Sequence, residues 1–175
     1  MNIVLIEPEI PQNAGNIVRT CAATRTKLYM VKPLGFSLDE KHFKRAGMDY
    51  RDFANVEVVD SFEELLERFK DKTFYYASTK SKKTYAEVSY EPDSFIVFGK
   101  ESYGIKESIL KSNMETCIRI PMAEQARSLN LSNSVAIILY EALRQNNFEN
   151  LKFYGELTGR KESWDFYTNK NIRFI

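Results

Sequence analysis

Short apolar runs rich in β-branched and aromatic residues, at 3–6, 28–31, 56–59, 74–77, 95–98 and 117–120, constrain this chain more than any other feature. Each reads as a strand. Apart from Glu57 and Arg119 the runs are apolar throughout rather than alternating, so both faces of the strands need cover, which is the situation of a mainly parallel sheet held between helices. Helical spacing appears between them. Residues 16–24 carry Ile17, Cys21 and Ala22 on one side, Asp39 can cap a segment ending near Gly47, and Ser61 with Glu64 fits a capping box ahead of Leu65, Leu66 and Phe69. The clearest helix begins around Ser132, where Val135, Ile138, Leu139, Ala142 and Leu143 form one apolar stripe. That stripe packs either on the sheet or on a second subunit. The expected class is α/β, a mainly parallel sheet flanked by helices.

A length of 175 residues with 43% apolar content supports one domain with one core. We expect it to span 1–150, with 151–175 as an extension of different composition, holding Lys152, Phe153, Tyr154, Trp164, Phe166, Tyr167 and Arg173 among glycines and polar residues. The longest apolar runs, such as 135–139, fall far short of the roughly 20 residues of a membrane span. The first residues lack the basic start of a secretion signal, so a cytoplasmic location is expected. Cys21 and Cys117 lie singly in apolar segments, which suggests buried thiols rather than a disulfide framework or a metal site. The formal net charge of +1 offers no global attraction to nucleic acid. Any such contact must be local, at Lys41, Lys44, Arg45 and Arg51 near Tyr50, or at Lys80, Lys82 and Lys83 before Tyr85. Either group is equally consistent with solvated loops.

The common nucleotide-binding and hydrolase signatures are absent, and the lone His42 sits in a charged stretch typical of surface. Chemistry concentrates in three other segments. Residues 7–16 follow the first strand with two prolines, Gly15, and Asn13 and Asn16, either of which can cap the next helix; Arg19 follows one turn later. Ligands in parallel sheets bind at that edge, so Arg19 can face an anion there. Residues 98–105 follow another strand, where Gly99 permits close backbone approach, Glu101 can accept a hydrogen bond and Gly104 can enter a left-handed turn. Residues 127–133 place Arg127, Ser128, Asn130, Ser132 and Asn133 at the entrance of the last helix, more hydrogen-bonding capacity than one cap consumes.

In these segments the chain resembles the small branch of the SPOUT-class tRNA 2'-O-methyltransferases that act on cytidine or uridine 34. The matching residues are Glu7-Pro8-Glu9-Ile10-Pro11 with Asn13, Gly15-Asn16 and Arg19; Phe98-Gly99 with Glu101 and Gly104; and Arg119-Ile120-Pro121-Met122 with residues 127–133 and Tyr140-Glu141-Ala142. Leu34-Gly35-Phe36 and residues 44–50 are also similar to this branch. Three departures stand out: Ala14 in place of a frequent threonine, Arg25 in place of a turn glycine, and Ile105-Lys106 in place of leucine-proline.

The resemblance implies a deep trefoil knot near the C-terminus, an exception to the rule against threading. It implies methyl transfer from S-adenosylmethionine to the ribose 2'-hydroxyl of the tRNA wobble nucleotide, in a homodimer that needs no metal. Ala77, Ser78, Thr79, Gly99, Glu101, Ile120, Met122, Ser128 and Leu129 would surround the cofactor. Arg19 would serve catalysis, and Asn13, Asn16, Arg127, Asn130, Asn133 and Tyr140 would meet the tRNA anticodon stem-loop. Two other readings remain: 2'-O-methylation of another RNA, such as ribosomal RNA, and a catalytically silent RNA-binding dimer.

Overall fold

The computed structural model describes residues 1–38 and 55–156. The basic group at 41–51 and the helix expected from Asp39 lie outside the described residues. The strands are β1 (Asn2–Ile6), β2 (Lys27–Val31), β3 (Val56–Val59), β4 (Phe74–Ala77), β5 (Phe95–Phe98) and β6 (Cys117–Ile118). They form one sheet in the order β3-β2-β1-β5-β4-β6, with every pairing parallel. The helices are α1 (Pro11–Ala23), α2 (Phe62–Arg68), α3 (Glu107–Ser112) and α4 (Leu131–Gln145).

Period-two alternation sends each strand's residues into two separate cores. Ile3, Leu5, Leu28, Met30, Tyr75, Ile96, Phe98 and Ile118 meet Ala14, Ile17, Val18 and Cys21 of α1 and the stripe of α4. Val4, Tyr29, Val31, Tyr76, Phe95, Val97 and Cys117 meet Phe62 and Leu65 of α2 and Leu110 of α3. Covered faces explain why the runs carry no polar alternation. The α4 stripe, Val135 to Leu143, is buried against the sheet and α1. Of the two destinations open to it, the stripe takes the sheet and not a second subunit.

Local chemistry explains most helix ends. The Ser61 side chain accepts from Glu64 N–H, and the Glu64 carboxylate reaches back to Asp60 N–H, one residue before the expected partner. Asn130 caps α4 by accepting from the N–H groups of Ser132 and Asn133, so that helix starts at Leu131 rather than Ser132. After α1 the chain turns through Arg25 at φ +54°, a left-handed conformation that glycine adopts without strain. The family's turn glycine is thus replaced at the position where it is most useful.

Two expectations need correction. Helix α1 begins at Pro11, five residues before Asn16, and neither Asn13 nor Asn16 caps it, because a partner from another segment takes that role. Strand β6 ends at Ile118; Arg119 instead makes an isolated parallel bridge to Thr84. The connection from β4 to β5 therefore runs beside Arg119, and further along Gln145 and Asn146 of the last helix bond Val88 and Tyr90. Past α4, Asn147, Phe148 and Asn150 all have positive φ, and Phe148 and Leu151 fold back onto the first core.

Candidate active site

In this strand order, β1 leads outward to β2 and β3 on one side, while β5, β4 and β6 lie on the other. The β1/β5 junction is a topological switch point, and ligands settle outside the carboxyl ends of strands at such a point. A cavity of about 470 Å³ lies there, lined by the segments that follow β1, β4, β5 and β6 and by the start of α4. Its apolar wall is Phe98, Ile118, Ile120, Leu131 and Ile138, and its polar rim includes Ser78, Thr79, Glu101, Ser102 and Ser128.

One side of the cavity is built by a reciprocal latch. The Glu101 carboxylate accepts from Glu9 N–H at 2.8 Å, Ile10 N–H at 3.3 Å and the Asn13 amide at 3.0 Å. The Glu9 carboxylate in turn accepts from Ser102 N–H and the Ser102 hydroxyl, each at 2.8 Å. Helix α1 starts at proline and has no side-chain cap of its own. A negative group at its first turn satisfies free N–H donors and opposes the helix dipole. Glu101 supplies that group from the β5–α3 connection. Asn13 extends the chain of bonds by accepting from the Asn130 amide at 2.9 Å, which ties the start of α1 to the start of α4. The two bonds from Ser102 hold the Glu9 carboxyl below its usual range.

Gly99 sits under this latch. A Cβ there would lie 2.1 Å from the Gly104 carbonyl carbon and 2.3 Å from Ile105 N. The glycine is needed for its own loop to close, with Gly104 N–H donating to Lys100 O and Gly104 itself at φ +76°. Gly99 also lines the cavity, so close packing of backbone on backbone is a second need for glycine beside the ligand approach expected of it. Glu7, just past β1, takes φ +49°, the kind of local strain that collects at functional sites. Its carboxylate pairs with Lys100 at 3.0 Å.

The structure sorts the expected site residues into groups. Ala77, Ser78, Thr79, Gly99, Glu101, Ile120, Met122, Ser128 and Leu129 all line the cavity. Asn13 and Asn130 line it as well, with their side chains committed to the ties described above. Asn16, Arg19, Arg127, Asn133 and Tyr140 are exposed and lie outside its wall. Arg19 follows Pro11 by eight residues along α1, about 12 Å at roughly 1.5 Å per residue. It stands more than two turns into the helix, not one, and is not among the residues that line the cavity.

Lys80, read from sequence as part of a basic group, Arg119, read as part of a motif, and Tyr103, within the 98–105 segment, were not assigned to the site and also stand in the lining. The signal for Arg119 was its place directly after an apolar strand, where a charged residue must face the strand end. Lys80 pairs with Glu107 at 2.6 Å and Lys83 with Glu115 at 2.8 Å, so two cations of the 80–83 group already have acidic partners. Both cysteines are free and buried, as expected, and burial pushes the Cys21 thiol up to about 12 and raises that of Cys117. Among the described residues there is no group of His, Cys, Asp and Glu that could hold a metal ion, and no helix long and apolar enough to cross a membrane.

Comparisons with known proteins agree with this placement. Residues 1–140 match the SpoU rRNA Methylase family. A relative from Methylovorus glucosotrophus (strain SIP3-4), named tRNA (cytidine(34)-2'-O)-methyltransferase, is 44% identical over 148 residues, 84% of this chain and 96% of its own. A solved structure described as giving structural insights into the 2-OH methylation of C/U34 on tRNA overlays with a TM-score of 0.80 at 37% identity, over 83% of this chain and 95% of that one. The SpoU methyltransferase AviRb from Streptomyces viridochromogenes, in complex with the cofactor AdoMet, shares the fold at a TM-score of 0.76 and 20% identity, over 84% of this chain and 60% of that one. The chain belongs to the SpoU methylase family, with the parallel α/β sheet and C-terminal trefoil knot of that class.

Proposed function

We propose that this protein transfers a methyl group from S-adenosylmethionine to the ribose 2'-hydroxyl of cytidine or modified uridine 34 in tRNA. The observation that carries the reading is the cavity at the β1/β5 switch point, walled by the motif segments through which the chain resembles enzymes of that activity. Its volume falls within the 300–1,000 Å³ typical of small-ligand sites, and its mixed wall suits a nucleoside with a short charged chain. The cofactor supplies a methyl group on a sulfonium. Residues 78, 79, 99, 120, 122, 128 and 129 would hold it, while Glu101 fixes the wall behind it.

Methyl transfer to a hydroxyl is an in-line displacement that needs alignment and removal of a weakly acidic proton. A guanidinium makes a poor general base, so Arg19 takes another role. It serves by binding the adjacent phosphate and stabilising the developing alkoxide, with that phosphate or a water carrying the proton away. Because Arg19 lies outside the cavity of its own chain, it acts in the cavity of a second copy. The homodimer forms through the outer faces of α1 and α4, which expose Asn16 and Arg19 on the one and Asn133, Ile137 and Tyr140 on the other; Tyr140 is 49% exposed. Residues 1–150 carry the activity, 151–175 are an extension, and the protein works in the cytoplasm on the tRNA anticodon stem-loop.

The test is single-turnover transfer of labelled methyl to a tRNA anticodon stem-loop, with the modified nucleotide mapped. Label on the 2'-oxygen of nucleotide 34 is expected, and Arg19→Ala should slow transfer about a hundredfold, the scale of losing one transition-state donor. Label confined to ribosomal RNA would move the substrate. Cofactor binding without transfer to any RNA would leave a silent binding dimer.

A further inference from the structure

Arg119 is the cavity cation that the protein itself leaves unanswered. Its main chain is fixed on both sides: Arg119 N–H donates to Lys83 O and its carbonyl accepts from Tyr85 N–H, each at 2.9 Å. Its side chain lines the cavity, and Nε is buried with no hydrogen-bond partner. A buried donor without an acceptor is an uncommon state that calls for an explanation. Four carboxylates of the described residues already have partners of their own. Glu107 pairs with Lys80 and Lys111, Glu115 with Lys83, Glu7 with Lys100 and Lys106, and Glu101 with the first turn of α1. A ligand in the cavity can supply an acceptor to this guanidinium, which pairs most strongly with a planar oxyanion.

We infer that Arg119 receives the carboxylate of the methionine portion of S-adenosylmethionine. The inference rests on the cofactor assignment proposed above and adds the orientation of the ligand. A phosphate of bound RNA offers similar chemistry. The place of Arg119 in the lining of the cavity, which the cofactor is proposed to fill, favours the small ligand.

Calorimetry with S-adenosylmethionine and with decarboxylated S-adenosylmethionine separates the possibilities. The natural protein should bind the carboxylated ligand about tenfold or more tighter, the scale of a hydrogen bond to a charged group. Arg119→Gln should erase that preference by weakening the carboxylated ligand alone, and Arg119→Lys should restore part of it. Equal affinities in the natural protein overturn the inference even if no variant folds. So does a variant that weakens both ligands alike, or one that weakens only RNA in a gel-shift assay. Failure of the natural protein to bind either ligand would instead overturn the cofactor assignment.

Discussion

The two walls of the cavity are built in opposite ways. The wall from β1 and β5 is locked by side chains reaching across loops: Glu101 to Glu9, Ile10 and Asn13, and Glu9 back to Ser102. The wall from β6 to α4 is pinned at its ends, by the Arg119 bridge and the Asn130 cap. Between them, residues 123–130 are exposed, and the backbone bond found within that stretch among the described residues is Ala126 N–H to Ala123 O. One wall therefore belongs to the folded protein's stability, and the other has surface to give to a ligand. Mutations should separate the two.

The largest effect is expected at Gly99. Gly99→Val drives a side chain into the Gly104 backbone, which cannot rotate away, and should cost about 3 kcal/mol of unfolding free energy. Chemical denaturation checks this; a variant within 0.5 kcal/mol of the natural protein would show that the wall yields. Next comes Glu101→Ala, which strips the Glu9 and Ile10 N–H groups and the Asn13 amide, at the entrance of α1, of their shared acceptor. A loss of about 1–2 kcal/mol is expected, the upper range for a helix cap.

A smaller effect concerns pH. The folded Glu9 carboxyl is held low by Ser102, so the latch contributes stability above the ordinary carboxylate range and loses it as pH falls through the folded value. Other paired carboxylates, among them Glu107 and Glu115, titrate in the same direction. The informative quantity is therefore the difference between the natural protein and Glu9→Gln. That difference in thermal midpoint should be present at pH 7 and shrink toward pH 3; a constant difference would remove Glu9 as the titrating group. The smallest stability change belongs to the open wall. Leu129→Ala should alter unfolding by less than about 0.5 kcal/mol, the usual surface value, while weakening cofactor binding in calorimetry. A stability loss as large as that of Glu101→Ala would erase the contrast between the walls.

The strands were readable because burial on both faces leaves a local mark, and the period-two division of Ile3 and Leu5 from Val4 and Ile6 follows from strand geometry alone. The α4 stripe was equally plain, but its destination was not, since the same spacing serves a core or an interface. The start of α1 was misread for a definite reason. Helix ends are sought in nearby capping residues, and this one is satisfied by Glu101, 92 residues from Glu9.

The sequence by itself determined the class of fold, the strands and their two faces, the buried helix stripe and the segments able to form a site. Those properties depend on spacing between neighbours, which composition and periodicity record. Tertiary structure alone decided the strand order, the pairing of Asn13 with Asn130 across 117 residues, the displacement of Arg19 from its own cavity and the orphaned Nε of Arg119. Each depends on which distant groups meet, and a hydrogen bond carries no trace of its partner in the residues beside it.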